Sequence, residues 1–152
     1  MGELLRIWIK PARRAAMASA IAAHAETGRG LAGNADQGGR RQVTLLDADR
    51  WRDAESELGE AVDPTARRAN LLTRGVDYRE CTGRVLRVGV VRIRLLGETR
   101  PCGRMDEARP GLRAALQPDW RAGAYGEVLD DGTLRVGDPV EWSDPPPPAE
   151  EA

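Results

Sequence analysis

The chain has 152 residues, 41% hydrophobic but only 4% aromatic and without a single Phe. That length supports one domain with a real core, which must be built from Leu, Val, Ile and Ala. Its 23 basic and 24 acidic residues, net −1, are interleaved rather than blocked, which argues against a nucleic-acid binder; no run approaches the ~20 apolar residues of a membrane span.

Residues 4–9 read as a first strand, stopped by Lys10-Pro11. Residues 12–24 are alanine-rich with Met17 and Ile21 four apart, a spacing that predicts a short helix or helical turn. Residues 28–39 form a glycine-dense polar loop that could present backbone N–H groups to an anion. The loop lacks both the Gly-Lys-Ser/Thr of a Walker A motif and the strand-loop-helix context of a dinucleotide fingerprint. Residues 40–46 predict a second strand. Asp47 then reads as the N-cap of a helix over 48–58, closed by Gly59. In that helix Trp51, Ala54, Glu55 and Leu58 give one narrow apolar stripe, as for a helix lying outside a sheet.

Asp63-Pro64 starts a turn, residues 70–73 a short strand ended by Gly75, and residues 85–88 and 90–96 two more strands with Gly89 as a kink or bulge between them. A loop follows Cys102 and contains Pro110-Gly111, leading to a short helical piece at 112–116. The last third reads as a meander: 124–129, the turn Asp130-Asp131-Gly132, then 133–136 and 140–142. Residues 143–152, with four consecutive prolines and acids behind them, read as a disordered tail. The fold expected over 1–142 is therefore mainly β, barrel-like, with one or two short peripheral helices.

The best chemical handle is Cys102, set between Arg100 and Arg104 in a segment that Pro101 and Gly103 are expected to keep out of regular structure. A cationic setting favours thiolate, the form that attacks electrophiles, carries a persulfide or binds a soft metal. Most free cysteines are instead small buried hydrophobes, and residue types alone leave both readings open. Cys81, the second cysteine, has no paired spacing with Cys102, and no secretory leader precedes them, which points to a reducing cytoplasm rather than a disulfide framework. His24 is the single histidine and no motif links it to Cys102, which argues against a cysteine hydrolase and against zinc. Asp130-Asp131 is better read as a turn than as an acid/base pair.

Five segments in order carry a family resemblance: Gly30-Leu31-Ala32-Gly33-Asn34 with Arg41-Gln42-Val43-Thr44-Leu45; Arg67-Arg68-Ala69-Asn70-Leu71 with Gly75; Pro101-Cys102 with Met105; Gly123 to Gly126; and Val136-Gly137-Asp138. Together they resemble the MOSC family, domains similar to the C-terminal domain of molybdenum-cofactor sulfurase, in its small stand-alone bacterial form. The resemblance implies a closed β-barrel whose loops bind the molybdenum cofactor, a pterin dithiolene with a terminal phosphate. It implies Cys102 as catalytic residue and molybdenum ligand, and Arg68 and Asn70 as the family's Arg-x-Asn motif. Arg67, Arg41, Asn34 and Arg100 join the expected cofactor-binding set. Asn34 stands where many relatives carry Asp, so an expected carboxylate is here a neutral amide.

Two functions follow from the resemblance. One is a molybdenum-dependent reductase of N-hydroxylated compounds fed by a separate redox protein. The alternative is a non-catalytic carrier in metal-sulfur cofactor assembly, holding sulfur as a Cys102 persulfide received from a sulfur-donor protein.

Overall fold

A computed structural model describes residues 2–143, so the tail expected at 143–152 lies, beyond Ser143, outside the described residues. Eleven strands are described: β1 (Gly2–Ile9), β2 (Ala18–Ala20), β3 (Ala22–Glu26), β4 (Gly30–Leu31), β5 (Val43–Asp47), β6 (Leu71–Arg74), β7 (Val85–Val88), β8 (Val91–Glu98), β9 (Ala124–Val128), β10 (Gly132–Arg135) and β11 (Pro139–Trp142). The α-helices are α1 (Ala48–Leu58), α2 (Gly103–Ala108) and α3 (Leu112–Ala115), with 3-10 turns at Pro64–Arg67 and Pro118–Trp120. Among the described residues no helix is long and apolar enough to cross a membrane.

Strand β1 closes the ring. Its start pairs with β11, Gly2 opposite Val140, while its other edge pairs with β6 from Glu3 to Ile7. The circuit β1-β11-β7-β8-β9-β5-β6 returns to β1 as a seven-stranded closed barrel, which leaves no long unpaired edge. All its pairings are antiparallel except β5 with β6, which run parallel because α1 carries the chain across between them. A smaller sheet, β10-β3-β4, stands beside the barrel.

Period-two alternation explains which side chains fill it. In β8, Val91, Ile93 and Leu95 are buried while Arg92 and Arg94 are exposed. Leu4, Ile7, Val43, Leu45, Leu71, Leu86, Ile93 and Val140 form the barrel interior. A second apolar cluster lies outside the barrel wall, where Trp8, Leu46 and Leu72 meet Trp51 and Ala54 of α1, Met105 of α2 and Leu112 of α3. Alternation lets β1 serve both clusters, with Trp8 outside, and the register irregularity between Leu4 and Arg6 keeps Leu4 and Ile7, three residues apart, both inside.

Four expectations are corrected. Residues 12–24 form no helix: Ala18–Ala20 pairs with Ile7 to Ile9, and Ala22 to Ala25 with β10. Met17 and Ile21 share no apolar stripe, Ile21 being 85% exposed, and alanine's helix preference of a few tenths of a kcal/mol per residue yields to two ladders that need partners. The last third is no meander, since β9 lies between β8 and β5, β10 on β3, and β11 between β7 and β1. Asp130 binds Arg92 and Asp131 accepts from the Thr27 N–H, so the Asp-Gly turn sends the chain from the barrel to the small sheet instead of folding a hairpin. Gly89 (φ +59°) opens the two-residue turn of the β7-β8 hairpin rather than bulging a strand. The stretch after Cys102 is helix α2, not loop.

At the end of β5, Asp47 caps α1 as expected, accepting from the Asp49 N–H at 3.2 Å. It also accepts from Val76 N–H at 3.1 Å and Thr73 Oγ1 at 3.0 Å, and Thr73 in turn meets Tyr78 Oη at 2.9 Å. Burial dominates these bonds and pushes the carboxyl up to about 6. A folded value above the unfolded one means that Asp47's contribution is full below pH ~4 and is lost as pH rises through ~6. The stability difference between wild type and Asp47→Asn should therefore change between pH 4 and 6.5, by on the order of 2 kcal/mol, and stay flat above. Parallel chemical-denaturation curves across that range would dismiss the coupling.

Candidate functional site

Three of the five motif segments, those with Arg41 and Thr44, with Arg67, Arg68 and Asn70, and with Cys102 and Met105, meet in one cleft of about 320 Å³. Lys10 and Arg13 enter it from the end of β1, Asp36 and Arg41 from the glycine-rich loop, Thr44 from β5, and Arg67, Arg68 and Asn70 from the approach to β6. Cys102, Arg104 and Met105 close the remaining side.

The arginine pair is set by local geometry. Asp63 caps the 3-10 turn Pro64–Arg67, its Oδ1 accepting from Thr65 N–H at 3.0 Å and Oγ1 at 2.9 Å. Arg68 ends the turn in the left-handed region (φ 59°, ψ 35°), its N–H donating to the Thr65 carbonyl. A non-glycine residue there carries strain of about 1 kcal/mol, which the surrounding fold must hold in place. That reversal gives adjacent arginines different environments. Arg67 is 8% exposed and donates from Nε to the Ala122 carbonyl at 2.9 Å. Arg68 is half-buried, and its Nη2 is wholly buried with no hydrogen-bond partner among the described residues.

Six cations line the cleft against one carboxylate, Asp36, which is held by Lys10 at 2.7 Å. Arg41, Arg67 and Arg68 make no ion pair among the described residues. Burial first, then the neighbouring Arg41, lowers Arg67 to about 10, while Cys102 acts in the opposite direction. Arg67 therefore remains charged at neutral pH, in a place that favours the arrival of an anion. Arg41 also lies over the Tyr125 ring at 5.8 Å.

Cys102 is free and exposed. It is extended itself (φ −127°, ψ 179°) but serves as the N-cap of α2, so Gly103 starts a helix where irregular structure was expected. Its carbonyl accepts from Met105 N–H at 2.9 Å, while the thiol makes no capping bond and stays available. The segment is anchored on both sides, by buried Met105 behind and by Thr99 ahead. Thr99 Oγ1 donates at 2.9 Å to the same Ala122 carbonyl that receives Arg67. One backbone oxygen thus ties the cysteine segment to the arginine turn. The adjoining Gly123 (φ +98°) is required because a Cβ there would overlap the Leu45 carbonyl.

Asn70 and Asn34 lie together. Asn70 Oδ1 accepts from Thr44 N–H and Oγ1 at 3.1 and 3.2 Å; its Nδ2 donates to the Trp8 carbonyl and to Asn34 Oδ1, both at 3.1 Å. Asn34 Oδ1 also accepts from Lys10 N–H at 2.9 Å. Asn34 is buried and does not line the cleft. Its oxygen accepts both bonds, a role that either Asn or Asp can fill, while its Nδ2 makes a long 3.5 Å donation to the Asp36 carbonyl that an Asp could not, so this position fastens the glycine loop to β1 and β6. Gly30 (φ +127°) lets that loop pass β5, since a Cβ would lie 2.6 Å from the Gln42 carbonyl.

Of the residues singled out in the sequence, Cys102, Arg67, Arg68, Asn70 and Arg41 meet in the cleft, Asn34 supports it from behind, and exposed Arg100 is not among its lining. Lys10, Arg13, Thr44 and Arg104 also line it; Arg104 was marked by its place beside Cys102 and Thr44 by its motif segment, Lys10 is the single lysine in the chain, and Arg13 carried no signal. Thr99 and Ala122 gave none. Cys81 is fully buried, and burial pushes its thiol up to about 12. His24 is exposed on β3, opposite Thr133. Among the described residues no group of three His, Cys, Asp or Glu could hold a metal.

Comparison with known proteins agrees with this architecture. The YuaD protein of Bacillus subtilis is similar over 92% of this chain and 94% of its own, with a TM-score of 0.76 at 16% identity. YiiM of Geobacillus stearothermophilus is similar over 95% of this chain and 76% of its own, TM-score 0.74 at 14% identity. YiiM of Escherichia coli is similar over 94% and 70%, TM-score 0.69 at 17% identity. At such identities these likenesses speak for the fold alone. No curated protein sequence matches. Residues 28–141 match the family model for the MOSC domain, a span that takes in the glycine loop, both arginines, Asn70 and Cys102, and by that match the chain belongs to the MOSC domain family.

Proposed function

We propose that this chain binds the molybdenum cofactor in the cationic cleft, with the Cys102 thiolate as ligand to molybdenum. The observation that carries the reading is the pair of buried Arg67 and half-buried Arg68, neither with a carboxylate partner among the described residues and the second with an orphaned Nη2, in one cleft with an exposed thiol. The donor set fits the group. Guanidinium forks suit its terminal phosphate and a thiolate is the soft donor molybdenum prefers, while Asn70, whose amide is fully used by Thr44, Trp8 and Asn34, would position the arginines.

Bound there, the cofactor would supply two-electron redox chemistry. The chain's own contribution is to hold the anion with Arg41, Arg67 and Arg68 and to leave the Cys102 sulfur exposed and unshared at the cleft. The proposed reaction is reduction of an N-hydroxylated compound: two electrons from a separate redox protein and two protons break the N–O bond and release water. The exposure of Cys102 favours a second reading, in which a persulfide on the thiol is passed between a sulfur donor and an acceptor.

Metal and pterin analysis of protein made in a molybdopterin-competent host tests the main reading, and cyanolysis for sulfane sulfur tests the second. Arg68→Ala should lower cofactor retention about 10- to 100-fold, the equivalent of one charge-assisted hydrogen bond or somewhat more. Arg68→Gly, which suits φ 59°, should show the same loss of retention with apo stability equal or higher. Equal loss of melting temperature in apo and loaded protein would assign Arg68 to structure alone.

A further inference from the structure

A second concavity of about 680 Å³ adjoins the cleft, lined by Ala16, Met17, Val62, Ala66 and Ala108 with Asp63, Thr65 and Glu107 among them. Arg68 and Arg104 line both spaces. Its position follows from the fold: Met17 belongs to the segment that did not become a helix, Val62 and Ala66 flank the Asp63 cap, and Ala108 ends α2. Met17, Val62 and Ala66 pack on the outer apolar cluster, so this wall is backed by core. Trp51 Nε1 donates to the Val62 carbonyl at 2.8 Å and fixes that stretch.

We propose that this groove is the substrate subsite of the Cys102 cleft, and that it takes the apolar body of a small, uncharged N-hydroxylated compound whose polar end lies at the thiol. The inference rests on the cofactor reading for the identity of that polar end. Three observations carry it. The groove and the cleft are continuous through two shared arginines, so one molecule can occupy both. The two linings differ: methyl and thioether groups make up half of the groove's lining residues, whereas the cleft is lined mainly by cations and carries the thiol. The volume falls within the ~300–1,000 Å³ of small-molecule sites, more than the reactive group alone needs. An uncharged occupant fits this groove, because Asp63 and Glu107 offset Arg68 and Arg104 among its lining, whereas the cleft beside it has six cations against one carboxylate.

The test uses the full chain, apo and cofactor-loaded, with linear alkylhydroxylamines from methyl to hexyl as probes and no electron donor present. Binding is read from the 13C methyl signals of Met17, Ala66 and Ala108. Affinity should rise about threefold per methylene as the tail is buried, in both preparations, with these methyl signals shifting together. Ala108→Trp, at an exposed helix end, and Met17→Asp, on a separate segment, should each flatten that dependence. A flat dependence in wild type, one that survives both substitutions, or one abolished by loading the cofactor would overturn the subsite. Molybdenum content is scored separately in the same preparations: a chain without molybdenum that keeps the chain-length dependence would remove the cofactor reading and keep the groove, and the converse result would do the opposite.

Discussion

Cys102→Ser is expected to leave the fold intact and to strip the chain of both molybdenum and sulfane sulfur. The substitution is nearly isosteric at an exposed position, and serine is a better N-cap than cysteine, so helix α2 should be held as well or up to about 1 kcal/mol better. What is lost is the soft donor, which an alcohol does not replace because its proton is retained at neutral pH. The two thiols of the wild type should behave very differently. Cys81 is fully buried and pushed up to about 12, so it needs both an opening of the barrel and a rare ionisation. Near pH 7.5 it should alkylate at least about a thousandfold more slowly than Cys102. Time-resolved mass spectrometry of alkylated protein measures this directly. Comparable rates for the two thiols, or normal molybdenum and sulfur content in the serine variant, would end the assignment of Cys102.

The largest stability effect is expected at Asn70. Truncation to Ala removes an acceptor for Thr44 N–H and Oγ1 and a donor for the Trp8 carbonyl and Asn34 Oδ1, all in a buried setting. Leaving such groups unpaired should cost about 2–4 kcal/mol by chemical denaturation. Asn34→Ala should cost less, because it removes the acceptor for Lys10 N–H and for one Asn70 donor, and otherwise only a long 3.5 Å donation to the Asp36 carbonyl. The double variant should show coupling of about 0.5–2 kcal/mol between the two sites. Asn34→Asp should be the mildest change, since a carboxylate accepts the same two donors and gives up only the long 3.5 Å donation to the Asp36 carbonyl. Strong destabilisation by Asn34→Asp would show that the amide is needed for more than its oxygen. Cofactor retention should fall with Asn70→Ala as well, because the turn that aims Arg67 and Arg68 is held to β1 and β5 through this side chain.

The mainly β character and the α1 helix with its Asp47 and Gly59 caps were legible in the chain itself, as was the arginine-flanked thiol of Cys102, which the structure leaves free and exposed. Their signals are local: alternation along β8, a capping residue ahead of an apolar stripe, and a thiol between arginines. The order of motif segments also carried the family, because each keeps a residue whose type is dictated by backbone shape or by chemistry, such as Gly123 beneath the Leu45 carbonyl. What only the tertiary structure decided is pairing across distance. Residues 18–25 became strands because β1 and β10 offered edges there, against the preference of their alanines. The Asp-Gly turn joins two sheets because Asp130 and Asp131 are drawn to Arg92 and Thr27, residues far away in the chain. The site shows the same division. The sequence named the arginines, but the Ala122 carbonyl that joins Arg67 to Thr99, the left-handed Arg68, the acceptor role of Asn34 and the apolar groove beside the thiol arise from backbone atoms and surfaces that meet only when the barrel closes. Local propensities amount to tenths of a kcal/mol per residue, whereas ladders and buried hydrogen bonds act over long sequence separations, so they decided each place where the reading and the structure part.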